Sequence, residues 1–128
     1  VVDGSNVAHT ERSNRGDPKV SNLIKVRKKL KSMGYEPLVI VDASLKHEID
    51  DPYQLESLID SQVVRQAPAG TDADYFILEI AEEQDAYVVS NDVFDKYRDR
   101  HDWIENRRIP LMIVEGKVVL REPDAGEE

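Results

Sequence analysis

The sequence predicts an α/β domain, a three-layer sandwich with a central, mostly parallel sheet and a C-terminal hairpin. Three observations carry that expectation. Short apolar runs alternate with longer stretches whose apolar residues recur at helical spacing. The runs Val1-Val2, Pro37 to Val41 and Ala86 to Val89 are continuous rather than alternating, as strands buried on both faces require. Right-handed crossovers between such strands bring all their carboxyl ends to one edge.

The elements follow in order. Val1-Val2 is a buried strand that ends at Asp3 and passes into a loop through Gly4 and a short polar series, with Gly4 letting the backbone turn near whatever binds there. A polar loop, Thr10 to Gly16, leads to Asp17-Pro18, read as an N-cap followed by proline at the first helical position. Val20, Leu23, Ile24, Leu30 and Met33 form one face of that helix, and Gly34 closes it. Pro37 to Val41 is the second strand and ends in Asp42. A polar connection, Ser44 to Asp51, reaches a second Asp-Pro signal at Asp51-Pro52, which starts a short helix through Leu55, Leu58 and Ile59.

Val63 to Ala67 is a brief third strand, stopped by the Pro68-Ala69-Gly70 turn. Thr71 caps the next helix, Thr71 to Gln84, with Asp74 as its acidic partner in a capping box and Phe76, Ile77, Ile80 and Ala81 on the buried face. Ala86 to Val89 is the fourth strand and runs into Ser90-Asn91-Asp92. A short helix carries Phe94 and Tyr97. Leu111 to Val114 and Lys117 to Leu120 flank Glu115-Gly116 as a tight hairpin. We expect one domain over residues 1–120 and an acidic, disordered tail over 121–128.

Composition excludes several chemistries. The chain has no cysteine, so disulfides, thiolate zinc sites and a cysteine nucleophile are ruled out. No apolar run approaches the roughly 20 residues that span a bilayer, and the start does not resemble a signal peptide, so the expected setting is cytoplasmic with no membrane partner. A net charge of −9 argues against a nucleic-acid partner taken as a sum. The basic residues, however, crowd into Lys19 to Lys31 and Arg98 to Arg108.

Asp3, Asp42 and Asp92 follow apolar strands, and Asp74 opens a helix at the same edge, so topology alone brings them to one cleft. Singly, each has a structural explanation as a turn former or helix cap. Together they repel one another, and such a cluster is usually neutralised by a cation. Oxygen-only ligands open to water suit Mg2+ or Mn2+.

Three motifs then carry a resemblance: Val-Val-Asp-Gly-Ser-Asn-Val-Ala at 1–8, Thr71-Asp72-Ala73-Asp74-Tyr75-Phe76, and Val88-Val89-Ser90-Asn91-Asp92. In this order they resemble the NYN domain of the Regnase-type, zinc-finger-associated ribonucleases, within the PIN-like nuclease superfamily. The resemblance spans roughly Val1 to Leu120. It implies a flavodoxin-like strand order, an acidic Mg2+ or Mn2+ site, and endonucleolytic hydrolysis of single-stranded RNA. It makes Asp3, Asp74 and Asp92 metal-binding catalytic acids, with Asn6, Ser90 and Asn91 as supporting groups. Homodimers are common among such domains, although no stretch here specifies an interface.

Two departures from the pattern stand out. The zinc-finger members have two adjacent acids before the aromatic of the middle motif, whereas this chain has Ala73 there and Asp72 one residue earlier. Four residues after Ser-Asn-Asp they have an acid, where this chain has Lys96 preceded by Asp95. Asp95 is therefore taken as the fourth acid, with Asp72 and Asp50 as further supporting acids. Arg12, Arg15, Lys19, Arg98, Arg107 and Arg108 are the candidate RNA contacts. His9 is a candidate helper, though a lone histidine is more often structural. The competing readings are a non-catalytic RNA-binding module of the same fold and a receiver-type signalling domain. The receiver reading calls for adjacent acids after the first strand, which Asp3-Gly4 does not provide.

Overall fold

The computed structural model describes residues 1–123. Five short strands, β1 (Val2–Asp3), β2 (Val39–Val41), β3 (Val64–Gln66), β4 (Val88–Val89) and β5 (Arg108–Ile109), form one sheet in the order β3-β2-β1-β4-β5. Every pairing in it is parallel. The order is 3-2-1-4-5 where flavodoxin proper has 2-1-3-4-5, because β3 extends the sheet outward from β2 instead of lying beside β1. The topology reverses between β1 and β4, and the crevice at such a reversal is where open α/β sheets bind ligands.

Alternation along the strands divides the core into two layers. Val2, Val39, Val41, Val64, Val89 and Ile109 face α1 (Gly4–Ala8), α2 (Val20–Ser32), α3 (Pro52–Asp60) and the C-terminal hairpin of β6 (Leu111–Val114) and β7 (Lys117–Leu120). Ile40 and Val88 face α4 (Ala73–Gln84) and α5 (Ile104–Arg107), packing with Ile77, Leu78, Ala81, Phe94 and Ile104. These are the three layers expected. The hairpin turns at Glu115 and Gly116, with φ of +50° and +78°, the paired left-handed geometry that matches strand twist. Strand β5 follows α5 and joins the sheet beyond β4; its two residues are too few to register as an apolar run in the sequence.

Local chemistry shifts three expected features. Residues 4–8 form helix α1 rather than a loop, and Asp3 itself is the N-cap, accepting the Asn6 N–H. Gly4 is required for space and not for a turn. A Cβ there would lie 2.6 Å from Val41 Cγ1 and 2.8 Å from the Ile40 carbonyl oxygen, so α1 can pack onto β2 only through glycine. Buried Asn22 donates to the Ala8 carbonyl at 2.9 Å and the Glu11 carbonyl at 2.7 Å, fixing the far end of α1.

Helix α2 begins at Val20, not at Pro18, because Arg12 and Pro18 pair as an isolated antiparallel bridge. Its first N–H is capped from a distance: Val20 N donates to Asp50 Oδ1 at 2.9 Å. The helix ends in a Schellman turn at Gly34, φ +94°, with Tyr35 N bonded to the Leu30 carbonyl and Gly34 N to that of Lys31. For α4 the cap is Asp72, which accepts from Asp74 N at 3.0 Å, while the Thr71 hydroxyl turns back to the Pro68 carbonyl. Asp51 caps α3 as expected, accepting from Gln54 N.

Beyond β7, Arg121 N donates to the Pro110 carbonyl; most of the tail expected over 121–128, residues 124–128, lies outside the described residues. Among the described residues no helix is long and apolar enough to cross a membrane.

The remote cap makes a testable asymmetry. Asp50→Ala should cost about 1 kcal/mol of unfolding free energy in urea titration, whereas Asp17→Ala should stay within about 0.5 kcal/mol. Equal losses, or a larger one at Asp17, would contradict the capping assignment.

Candidate active site

The carboxyl edge of the sheet carries an open cleft of about 270 Å³ lined by Asp3, Ser5, Asn6, His9, Asp42, Ala73, Asp74 and Asp92. Asp3 ends β1, Asp42 follows β2, Asp92 follows β4, and Asp74 sits in the first turn of α4. Carboxylate oxygens of Asp3, Asp74 and Asp92 all lie within 4.8 Å of one another.

Serine 90 organises this cluster. Its fully buried hydroxyl donates to Asp3 Oδ2 at 2.8 Å and accepts the Asp92 N–H at 3.0 Å. Asp92 Oδ1 in turn accepts the Phe94 N–H at 2.9 Å. One hydroxyl thus fixes the spacing between the acid of β1 and the acid after β4. Asn6 and Asn91 act a step further out. Asn6 Oδ1 accepts the Asn91 N–H at 2.9 Å, and the Asn91 side chain both donates to and accepts from the Leu111 backbone, at 2.9 and 2.8 Å. Ser5, which the sequence did not single out, accepts the Asp42 N–H at 3.0 Å and ties β2 to α1.

The remaining expected residues divide clearly. Asp95 stands outside the cluster: Phe94 adopts φ +54° to bury its ring, and the following turn points Asp95 outward, its side chain 88% exposed and 3.9 Å from Arg98. The fourth acid lining the cleft is Asp42, held by the Ser44 hydroxyl at 2.6 Å and the Ser44 N–H at 3.2 Å. Asp72 caps α4 and binds Lys96 at 3.2 Å and the Tyr97 hydroxyl; Asp50 caps α2. Neither lines the cleft.

Among the basic candidates, Lys19 pairs with Glu11 at 3.0 Å, Arg98 pairs with Glu105, and Arg12 binds the Gly16 carbonyl. Arg107 pairs with Asp85 at 2.7 Å and stacks over Trp103, at the C-terminal end of α4 and so away from the cleft. Arg108 donates to the Ser90 carbonyl at 3.0 Å, directly behind the acids. Arg15 is exposed. His9 lines the cleft, with Nδ1 2.7 Å from the Ser5 carbonyl oxygen and Nε2 3.6 Å from Glu48.

A second grouping, Glu79, Glu82 and His101, lies on the outer layer. Both His101 ring nitrogens already face carboxylates, at 3.3 and 3.0 Å, and Trp103 Nε1 donates to Glu82, so its polar atoms are satisfied within the protein.

Electrostatics separate the cleft from an ordinary cap cluster. Burial pushes the Asp3 carboxyl up from 3.8 to about 7, with Asp74 and Asp92 adding repulsion and the Ser90 bond opposing it. Burial, then Asp92 and Asp72, raise Asp74 to about 6. The oxygen-only donor set, the close spacing and this mutual repulsion all fit a hard divalent cation, which would hold the acids ionised together.

The sign of the pH effect follows. Folded-state values above the unfolded 3.8 mean that protonated Asp3 and Asp74 favour the fold, a contribution complete below about pH 4, eroded as pH rises above that and fully lost once pH passes the folded-state values of about 6 and 7. Metal-free protein should therefore lose melting temperature between about pH 4 and 7, Mg2+ should restore it most at the upper end, and Asp3→Asn should flatten the decline. A wild-type profile that matches Asp3→Asn over this range would contradict the assignment.

Comparison with known proteins fits this geometry. Two solved structures of nuclear protein-only RNase P 2 (PRORP2) from Arabidopsis thaliana superpose with TM-scores of 0.75 and 0.74, at 24% and 22% identity. Each match covers 95% of this chain but only 29% of the PRORP2 chain, so the likeness is one of fold over a part of a larger protein. The search of curated proteins returned no match. The profile of one family matches residues 1–127, nearly the whole sequence: with its parallel sheet and its acids gathered at the strand ends, the chain belongs to the Zc3h12a-like Ribonuclease NYN domain family.

Proposed function

We propose that this ribonuclease-family domain is a Mg2+- or Mn2+-dependent endonuclease that hydrolyses single-stranded RNA in the cytoplasm. The observation that carries the reading is the convergence of Asp3, Asp74 and Asp92, from three distant segments, on oxygen positions within 4.8 Å. Two of these acids are raised well above the usual carboxylate range, which is how sites built for charged ligands differ from incidental clusters.

Asp3, Asp74 and Asp92 would hold the ion. When bound, it would supply Lewis-acid polarisation of the scissile phosphate and activation of water. The protein's own part is to keep the geometry fixed. Ser90 sets the Asp3 to Asp92 spacing, and Asn6 and Asn91 lock α1, β4 and the hairpin around it. Asp42, which also lines the cleft, would orient or accept a proton from the attacking water, a role we assign to it in preference to Asp95. Arg15 and Arg12, in the loop after cleft residue His9, are our choice for contacts to the flanking phosphates, since Arg107 is committed elsewhere.

Labelled single-stranded RNA incubated with the protein should be cut internally, EDTA should stop the reaction, and Mg2+ or Mn2+ should restore it. Asp3→Asn and Asp92→Asn should abolish cleavage, whereas Ser90→Ala, acting only through their positioning, should cost about 10–100-fold. Cleavage that persists after chelation and in both acid variants would overturn the metal mechanism. Equal cutting of duplex RNA or of matching DNA would overturn the strand preference alone.

A further inference from the structure

A second cavity, of about 380 Å³, opens at the same edge of the sheet, lined by Lys46, His47, Pro52, Leu55, Glu56, Ile59 and Gln66. Its volume falls in the range of small-ligand pockets, roughly 300–1,000 Å³. The floor is apolar: Leu55 is buried in the core, and Pro52 and Ile59 flank it on α3. The rim is polar. Among the described residues, none of the side chains of Lys46, His47, Glu56 and Gln66 makes a hydrogen bond or ion pair. That contrasts with Lys19, Arg98 and Arg107, which are all tied to acids. Tyr53, one helical turn before Glu56, is 83% exposed.

This cavity neighbours the acidic cleft without sharing a lining residue with it. Gln66 pairs with Val41, the residue before Asp42. The turn bearing Lys46 and His47 closes on Asp42 through Leu45 N, which donates to the Asp42 carbonyl at 3.3 Å, and Glu48 reaches back to His9 at 3.6 Å. The two depressions therefore share the segment after β2 as a common wall.

We propose that this cavity is a nucleobase subsite, taking one base of the RNA strand whose phosphodiester lies in the cleft. The inference rests on the ribonuclease reading and adds a specificity element to it. The apolar floor receives the face of an unstacked base, Lys46 meets its phosphate, and Glu56 and Gln66 read its edge. Glu56 can only accept, so it pairs best with guanine, whose N1–H and N2 amino group donate side by side, whereas uracil offers the single N3–H.

Two measurements test this independently. In steady-state cleavage of short single-stranded RNA, Lys46→Ala combined with Gln66→Ala should raise KM about tenfold while kcat stays within about twofold, since both side chains line the cavity, are exposed and lie outside the acidic cleft. In an NMR titration without metal, GMP should shift the amides of Lys46, His47 and Gln66 more than UMP does, and Glu56→Gln should remove that difference. An unchanged KM in the double variant, with no nucleotide-dependent shifts around the cavity, would overturn the subsite while wild-type cleavage leaves the ribonuclease reading standing. Selective shifts at the cavity in a protein that cuts no RNA would support the subsite as a nucleotide site and overturn the ribonuclease reading instead.

Discussion

The hydrogen bond from Ser90 to Asp3 is the contact on which the site depends. It joins β1 to the end of β4 across the point where the strand order reverses, and Asp3 is only 5% exposed. A buried carboxylate with two acidic neighbours is unfavourable unless it is hydrogen-bonded and neutralised. Ser90 supplies the first of these, together with the Asn6 N–H, and a cation would supply the second. The same hydroxyl accepts the Asp92 N–H, so one side chain sets the position of two acids. Gly4 completes the arrangement by letting α1 lie against β2, whose paired strand β1 carries Asp3, so that Asp3 and Asp42 both line one cleft.

The two places where this chain departs from the Regnase-type pattern meet in space. The acid missing at Ala73 stands one position earlier as Asp72, and the acid missing at position 96 is replaced by lysine. These two residues form an ion pair at 3.2 Å, with the Tyr97 hydroxyl also on Asp72. The Tyr97 bond, with Lys96, holds the Asp72 carboxyl below its ordinary value, so this acid is spent on capping α4 and bracing the turn after β4. The cleft correspondingly carries three clustered acids with Asp42 as the fourth lining group. Asp72 and Lys96, the residues at which the chain departs from that pattern, thus pair with each other beside the turn after β4.

Much of this could be read from the residues. Continuous apolar runs marked three of the five sheet strands, a Val-Val start before the Pro68-Ala69-Gly70 turn marked a fourth, and Glu115-Gly116 marked the hairpin, because these signals are local. The cluster of Asp3, Asp74 and Asp92 followed from topology, since parallel strands must end at one edge. Non-local contacts were illegible. Nothing near Asp50 indicates that it caps a helix thirty residues earlier in the chain, and nothing at Phe94 announces the left-handed backbone that turns Asp95 away. Strand β5 has two residues and takes its identity from pairing with β4. Arg107 looked available because its charge is visible in the sequence while its partner Asp85 is brought to it only by the fold.

The central claim is that the three strand-edge acids form a divalent-cation site. A crystal of the protein soaked in Mn2+ near pH 7.5 and measured for anomalous scattering tests it most directly. The account predicts a peak bounded by carboxylate oxygens of Asp3, Asp74 and Asp92, lost in an Asp3→Asn crystal. A peak confined to Glu79, Glu82 and His101, or none at the strand edge under saturating Mn2+, would contradict it.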